Sequence, residues 1–528
     1  MTVELNFPQK ARDRMTTFSQ ILRLCVGSMT DSYKLTHWRI YPKRLTKMLS
    51  YLEARSPSDF ADETVFFGLQ YFIKRYLLGT VITTRDLPRL RAFCKHHFYG
   101  VEGLFNEEGW RYIIEKHNGR LPVSIKAVAE GTVVPVGNVM MTIENTDENC
   151  AWLTNFLETV LVEVWNTITV ASLSRAMKKN QYAAMKKTVE EELIPIILPS
   201  RVHDFGYRGV SSPETAALSS AAHLVNFAGT DTIAGIELIN QFYSNDGYSD
   251  TEEYDMTSGE EWNAEESYRR WDKFYADHMP GFSIPATEHS QMTLGGPEGE
   301  LSVCRNLISE FPNGFVACVS DSYDLFNCVN EYWGGALKDD VLNRNGTLVV
   351  RPDSGDPIKI VPMVLEALGN KFGYRINKKG FKVLNDKVRV IQGDGINVKS
   401  HADILIAVIE AGWSVENLAF GSGGALLQKV NRDTFAFAFK CCYAVVDGKP
   451  RDVYKKPKTD SKKNSKRGQL ALVRNSEGRL ITVPEAEASQ YDSGNLLIEV
   501  FRDGELLVDL PFEMIREAAE LIELEPVS

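Results

Sequence analysis

The middle of the chain repeats one hydropathy pattern: a short apolar run, a cluster of Gly, Asp or Ser, then a segment whose apolar residues have helical spacing. Phe315 to Val319 leads into Ser320-Asp321-Ser322, and Thr347 to Val350 into Arg351-Pro352-Asp353-Ser354-Gly355. Val388 to Gln392 leads into Gly393-Asp394-Gly395, and Leu418 to Phe420 into Gly421-Ser422-Gly423-Gly424. Runs this short, apolar on both faces and bounded by turn residues, predict buried parallel strands. Between the second and third, Asp356 before Pro357 signals a helix start, with Ile360, Met363, Val364 and Leu368 on one face. Between the third and fourth, Ala402 to Ala411 predicts a helix that stops at Gly412. Val202-His203-Asp204-Phe205-Gly206-Tyr207-Arg208 adds an earlier strand end of the same kind. The loops after these strands carry most of the Asp, Arg and Gly of chemical interest, as in a (β/α) barrel whose site lies at the C-terminal strand ends.

The flanks follow another rule. Residues 123–145 and 435–510 contain short alternating runs broken by Gly131, Gly137 and Asp503-Gly504, which predicts antiparallel strands and hairpins. Leu153, Leu157, Val160, Leu161 and Val164 have helical spacing. The expected fold is α/β. An irregular (β/α) barrel spans 200–434, and a second, mixed α+β domain is built from both ends of the chain, 24–199 and 435–528. Residues 1–23 form an N-terminal extension.

Charge and composition narrow this reading. The 528 residues allow more than one core, and no apolar stretch approaches the roughly 20 residues of a membrane span. Glu4 and Pro8 stand where a signal peptide needs an apolar run, so a cytoplasmic protein without membrane attachment is expected. The eight cysteines are dispersed, with no His at metal-ligand spacing, and read as reduced core thiols. A net charge of -11 argues against a general nucleic-acid binder. The charge is uneven: 246–278 carries eleven acidic and three basic residues, whereas Lys449 to Gly468 carries nine basic and two acidic. Seven aromatics in the acidic segment predict an ordered insertion rather than a solvated linker.

The candidate chemistry lies on the strand-end loops. Gly421-Ser422-Gly423-Gly424 before Leu426-Leu427 presents backbone N–H groups at a helix start, where phosphate binds; a tight turn that needs glycine explains it equally well. Arg351 and Asp353 share one loop, either as a structural pair or as a phosphate clamp beside an acceptor for sugar hydroxyls or Mg2+. Asp321 and Asp394 repeat the carboxylate on neighbouring loops. Carboxylates facing one cleft repel unless a cation or a cationic transition state lies between them, which suits glycosyl transfer through a positively charged ribose. His289, between Glu288 and Ser290, is a structural histidine or a nucleophile or base held in one tautomer. Lys440 and Lys455 are possible phosphate ligands in or beside a basic surface loop.

These stretches, with Asp31-Ser32-Tyr33-Lys34, His203-Asp204-Phe205-Gly206-Tyr207-Arg208-Gly209, Gly229-Thr230-Asp231, Glu288-His289-Ser290 and Ser320-Asp321-Ser322-Tyr323-Asp324, resemble the nicotinamide phosphoribosyltransferase family of type II phosphoribosyltransferases, in family order over roughly residues 24 to 525. The resemblance implies a homodimer with shared sites. It implies nicotinamide and phosphoribosyl pyrophosphate as substrates, nicotinamide mononucleotide and pyrophosphate as products, Mg2+ bound mainly through substrate phosphates, and ATP as co-substrate. Phe205 and a partner-subunit Tyr33 would sandwich the pyridine ring, and Asp231 would accept its amide. Arg208 and Arg351 would hold ring and phosphate, Asp353 the ribose, and Gly423 and Gly424 the 5′-phosphate. Arg432, Lys440 and Lys455 of the partner would bind pyrophosphate and ATP phosphates, with Asp31 and Asp394 also among the substrate positions. His289 would take a phosphoryl group from ATP, and Asp321 and Asp353 would complete the catalytic set.

A sandwich of aromatic faces favours the pyridinium that forms, by ~1 to 2 kcal/mol per good contact. An ionised Asp231 ~4 Å from a nicotinate carboxylate would cost about 4 kcal/mol at an effective dielectric near 20, a preference for the amide of at least several hundred-fold. Ala438 stands where the family carries a hydroxyl among its phosphate ligands, and Ala425 where a third glycine would extend the loop. ATP coupling is the property these two changes bear on. A nicotinate-preferring enzyme is the first competing reading, opposed by Asp231. A catalytically silent binding protein is the second, opposed by the presence of Arg351, Asp353 and His289.

Overall fold

The computed structural model describes residues 25–244, 264–459 and 464–521. The N-terminal extension and most of the acidic insertion lie outside the described residues. The insertion's last part, Ala264–Asp277, is a helix.

Six parallel strands form the central sheet: β1 (Val202–Asp204), β2 (Gly229–Thr230), β3 (Asn313–Val319), β4 (Asn345–Arg351), β5 (Val388–Gln392) and β6 (Leu418–Ser422). Their order is β2-β1-β6-β5-β4-β3. The sheet curls, and the segment Phe282 to Ala286 makes parallel bridges to both edges, Phe282 to Gly229 and Ala286 to Ala317. The α/β class and the barrel architecture expected from the hydropathy pattern are therefore present. Side chains alternate along the strands. Ala317, Val349 and Ile391 face inward with Phe205, Ile284 and Ala419, whereas Val316, Cys318, Leu348, Val350, Val390 and Phe420 join the main core.

Local chemistry sets the crossover helices. Asp356 caps Pro357–Phe372 by accepting from Ile358 N at 3.2 Å. The next helix, Val398–Glu410, starts earlier than its apolar spacing suggests, because Asn397 and Ser400 form a reciprocal capping box. The apolar stripe from Leu153 to Val164 forms two short helices, Leu153–Phe156 and Glu158–Val162, before the long buried helix Trp165–Thr188. The ladder opens at Leu157 and Val164, where ψ flattens to -6° and -16°. No single helix among the described residues is long and apolar enough to cross a membrane. All eight cysteines are free thiols, and all but Cys441 are buried.

The flanks combine in a seven-stranded antiparallel sheet ordered Lys449–Asp452, Ala438–Val446, Leu45–Glu53, Val139–Asn145, Val123–Ala127, Ile498–Arg502 and Glu505–Leu506. Asp503 and Gly504 turn the last hairpin with φ of 50° and 87°, the left-handed pair that matches strand twist.

The last described helix, Phe512–Ala518, docks on the barrel's outer layer. Arg516 there donates to Leu224 O at 2.7 Å and Phe227 O at 2.6 Å, satisfying carbonyls at the end of the helix Pro213–Leu224. Replacing it by Met strands both acceptors. Charge-assisted bonds of this kind contribute roughly 1.5 to 3 kcal/mol each. Arg516→Met should lower the thermal midpoint by several degrees in differential scanning calorimetry, with no change in which substrates are used.

Candidate active site

The C-terminal strand ends open into a cleft of about 560 Å³ that Phe205, Arg208, Asp231, Arg351, Asp353, Asp394, Gly423 and Gly424 line together. Phe205 follows β1 and is anchored by its N–H to Ser422 O at 2.9 Å. Beneath it, buried Asp204 accepts from Gly206 N at 2.7 Å and from Thr230 Oγ1 at 3.1 Å, tying the loop to β2. The Phe205 ring lies over two glycines: a Cβ at Gly421 would fall 2.0 Å from its Cε2, and one at Gly393 3.4 Å. Only a bare backbone at 421 lets the ring occupy this place.

Asp231, just beyond β2, is held by its N–H to Asp204 O at 2.8 Å, and the Ser283 hydroxyl donates to its carboxylate. Desolvation in the cleft pushes the Asp231 carboxyl above the usual carboxylate range, helped by Asp204 and opposed by Ser283 and Arg351. Ser283 is a functional contact that sequence spacing did not reveal, 52 residues away along the chain.

The opposite wall gathers charge. Arg351, the last residue of β4, donates to Asp353 Oδ2 at 3.1 Å, while its buried Nε has no hydrogen-bond partner among the described residues. Asp321 is 3% exposed; its Oδ2 accepts from Asp353 N at 2.9 Å and from Ser354, and its Oδ1 has no hydrogen-bond partner. His289 Nε2 stands 3.5 Å from Asp353 Oδ2 and 3.7 Å from Asp321 Oδ1, and its Nδ1 meets Ser322 Oγ at 3.1 Å. His289 opens the helix His289–Thr293, which Glu288 and Gln291 cap reciprocally. The two carboxylates favour a proton on Nε2, and Nδ1 then accepts from the Ser322 hydroxyl. Ser322 is the second contact that sequence reasoning missed, although it adjoins Asp321.

The glycine loop ends in a single helical turn, Gly424–Leu427, so anion binding there rests on the local N–H groups and not on an extended helix dipole. Gly424 packs on Gly209, where a Cβ would meet Gly209 O at 3.0 Å. Arg208 is exposed, with its guanidinium 4.0 Å from Glu288.

Asp31, Tyr33, Arg432, Lys440 and Lys455 do not line this cleft, and His289 and Asp321 adjoin it through Asp353 rather than line it. Tyr33 projects from the 3-10 helix Ser32–Arg39, 56% exposed, its ring edge-on to His37 at 4.8 Å. Lys440, on the strand Ala438–Val446, has its pKa lowered by burial and by Arg55, Arg432 and Lys34, against the opposing pull of Glu158. Of these neighbours Lys34 is buried and paired with Glu158 at 2.5 Å, and Arg55 is paired with Glu53 at 3.4 Å. Lys455 is exposed on the loop that follows, its N–H bonded to Ser465 Oγ at 2.8 Å.

Residues 200–505 match the nicotinate phosphoribosyltransferase (NAPRTase) family, and residues 25–125 match the N-terminal domain of nicotinamide phosphoribosyltransferase. A nicotinamide phosphoribosyltransferase from Xanthomonas campestris pv. campestris (strain 8004) is 41% identical over 502 residues, covering 94% of this chain and 98% of that protein. Another from Acinetobacter baylyi (strain ATCC 33305 / BD413 / ADP1) is 32% identical, covering 92% and 95%. Among solved structures, nicotinate-nucleotide pyrophosphorylase from Pyrococcus furiosus shares the fold with a TM-score of 0.54 at 15% identity, covering 98% of this chain and 97% of that one. The barrel with its cleft at the strand ends is thus of the phosphoribosyltransferase class. Within that class, the chain belongs to the nicotinate phosphoribosyltransferase (NAPRTase) family.

Gly421→Ala tests the ring's seat. The added methyl should displace Phe205 and weaken binding of a planar ring by about 1 to 2 kcal/mol, roughly 5- to 30-fold in KM. Steady-state kinetics and a crystal structure of the variant check it; an unmoved ring with unchanged KM would refute the account.

Proposed function

We propose that the chain is a nicotinamide phosphoribosyltransferase that forms nicotinamide mononucleotide and pyrophosphate from nicotinamide and phosphoribosyl pyrophosphate, in salvage of the pyridine ring. The observation that carries this reading is one cleft lined by the Phe205 ring, Asp231, Arg351, Asp353 and the glycine loop, with buried Asp321 accepting from Asp353 N behind it. The ring nitrogen attacks ribose C1 as the bond from C1 to the pyrophosphate oxygen breaks, and that electron pair leaves with pyrophosphate. Positive charge builds on the ribose and ends on the ring. Asp353 and Asp321 stabilise it on one side and the Phe205 face on the other.

The buried Asp321 Oδ1 without a hydrogen-bond partner, beside Asp353, is a hard oxygen donor set that fits Mg2+. Mg2+ held mainly by substrate phosphates would neutralise charge on the leaving pyrophosphate. In a homodimer, the partner subunit's Tyr33 would cover the second face of the ring, and the partner's Arg432, Lys440 and Lys455 would meet the phosphates. The clustering of Arg432 and Lys440 outside the cleft of their own chain supports this division. His289 would accept a phosphoryl group from ATP; its imidazole, oriented between Ser322 and Asp353 beside the cleft, supports this reading.

The primary test is product formation from phosphoribosyl pyrophosphate and Mg2+ with nicotinamide or nicotinate, each with and without ATP. Mononucleotide from nicotinamide is expected, with ATP stimulation that His289→Ala abolishes while basal turnover survives. Turnover with nicotinate alone would overturn the substrate assignment. Tyr33→Ala and Phe205→Ala, each inactive alone, should regain about a quarter of sites when mixed, because a two-fold dimer of the two variants holds one intact site. No rescue after confirmed subunit exchange would refute a shared site.

The raised Asp231 pKa fixes a sign. The ionised carboxylate repels nicotinate and is lost as pH falls through that pKa, so the preference for nicotinamide should decline toward acid pH. Ser283→Ala removes a hydrogen bond that favours the ionised form and should move the midpoint of that decline to higher pH. Nicotinate's own carboxyl titrates identically with both enzymes, so an unshifted midpoint in kcat/KM ratios would exclude Asp231 as the discriminating group.

A further inference from the structure

Far from the cleft in sequence, three side chains of different metal-binding types converge where the helix Glu107–His117 meets the turn after the strand Val139–Asn145. His117 lies in the helix's last turn, with Nε2 2.9 Å from Asp147 Oδ2. Cys150 closes the short 3-10 turn Glu148–Cys150, and its side chain is fully buried. One ligand atom from each of the three residues lies within 4.8 Å of the other two. Thirty residues separate His117 from Asp147, which is why no ligand spacing is visible along the chain.

We propose that His117, Asp147 and Cys150 form a binding site for a divalent ion of the zinc type, separate from the active site. The donor set decides the ion. Imidazole nitrogen, carboxylate oxygen and thiolate sulfur suit Zn2+, Co2+ or Cd2+, whereas Mg2+ and Ca2+ require oxygen ligands throughout. Ligand bonds of ~2.0 to 2.3 Å place tetrahedral ligands ~3.3 to 3.8 Å apart, so side-chain shifts of about 1 Å close the site.

The surroundings favour a cation. His117 sits at the negative end of its helix. Asp147 is oriented by Asn149 N at 2.8 Å and by the Tyr112 hydroxyl at 3.0 Å, as outer partners of a metal carboxylate are. A cavity of about 380 Å³ reaches His117 and is lined on its other sides by Arg120, Arg502, Asp503 and Glu505. Bound metal would pin the helix to the sheet's turn. Without it, His117 and Asp147 form a hydrogen-bonded pair beside a core thiol.

Chelator-treated full-length protein titrated with Co2+ tests the proposal. One equivalent per chain is expected, with a thiolate-to-cobalt absorption band in the near ultraviolet, which Zn2+ abolishes by displacement. Cys150→Ser should eliminate the band, and the more exposed His117→Ala should weaken binding by about tenfold or more while the protein stays folded. Cys94→Ser should leave both unchanged. Zn2+ should raise the thermal midpoint of the parent protein but not of His117→Ala. Absence of a saturable band, or a band that persists in both Cys150→Ser and His117→Ala, would overturn the site.

Discussion

Parallel pairing of six strands is the constraint on which the rest of this structure depends. Because every strand of the central sheet runs the same way, every loop that follows a strand emerges at one end. Phe205, Asp231, Asp321, Arg351, Asp394 and Gly423 come from six different strand ends and meet only because that ladder is parallel. The ladder needs helices between strands, and those helices need apolar partners on the sheet's outer face. Val316, Leu348, Val390 and Phe420 supply them, while Ala317 and Ala419 keep the inner face small.

Charge is the second organising term. Asp353 and Asp231 share one cleft with Arg351, Asp321 lies buried behind Asp353, and the repulsion among these carboxylates is managed locally. Asp321 receives a backbone N–H and a hydroxyl, Asp353 receives a guanidinium, and Asp231 receives the Ser283 hydroxyl. What remains uncompensated is pointed: one buried carboxylate oxygen on Asp321 and one buried guanidinium nitrogen on Arg351. An unpartnered buried polar atom costs about 1 to 3 kcal/mol, a cost a bound ligand group would relieve.

The antiparallel sheet binds the two ends of the chain into one unit, with Leu45–Glu53 between a strand from residues 438–446 and one from 139–145. The same strand pairing sets Lys440 opposite Tyr51 and gathers Lys34, Arg55 and Arg432 around it.

Much was legible in the order of residues. Short apolar runs closed by Gly and Asp announce parallel strands, since a strand buried on both faces cannot alternate, and those same closing residues are the chemistry. Arg351, Asp353, Asp321 and the glycine loop were visible for that reason, as were the helix starts at Asp356 and the hairpin at Asp503-Gly504. Tertiary structure alone decided contacts between residues that no spacing rule connects. Ser283 reaches Asp231 across the barrel, and Gly421 gives up its side chain to Phe205 from another strand. His117 finds Asp147 where a helix end meets a sheet turn. Local order along a chain encodes periodicity, caps and turns, because these are interactions over a few residues. Which distant side chains come within hydrogen-bond reach is set by packing, and packing exists only once the chain has closed on itself.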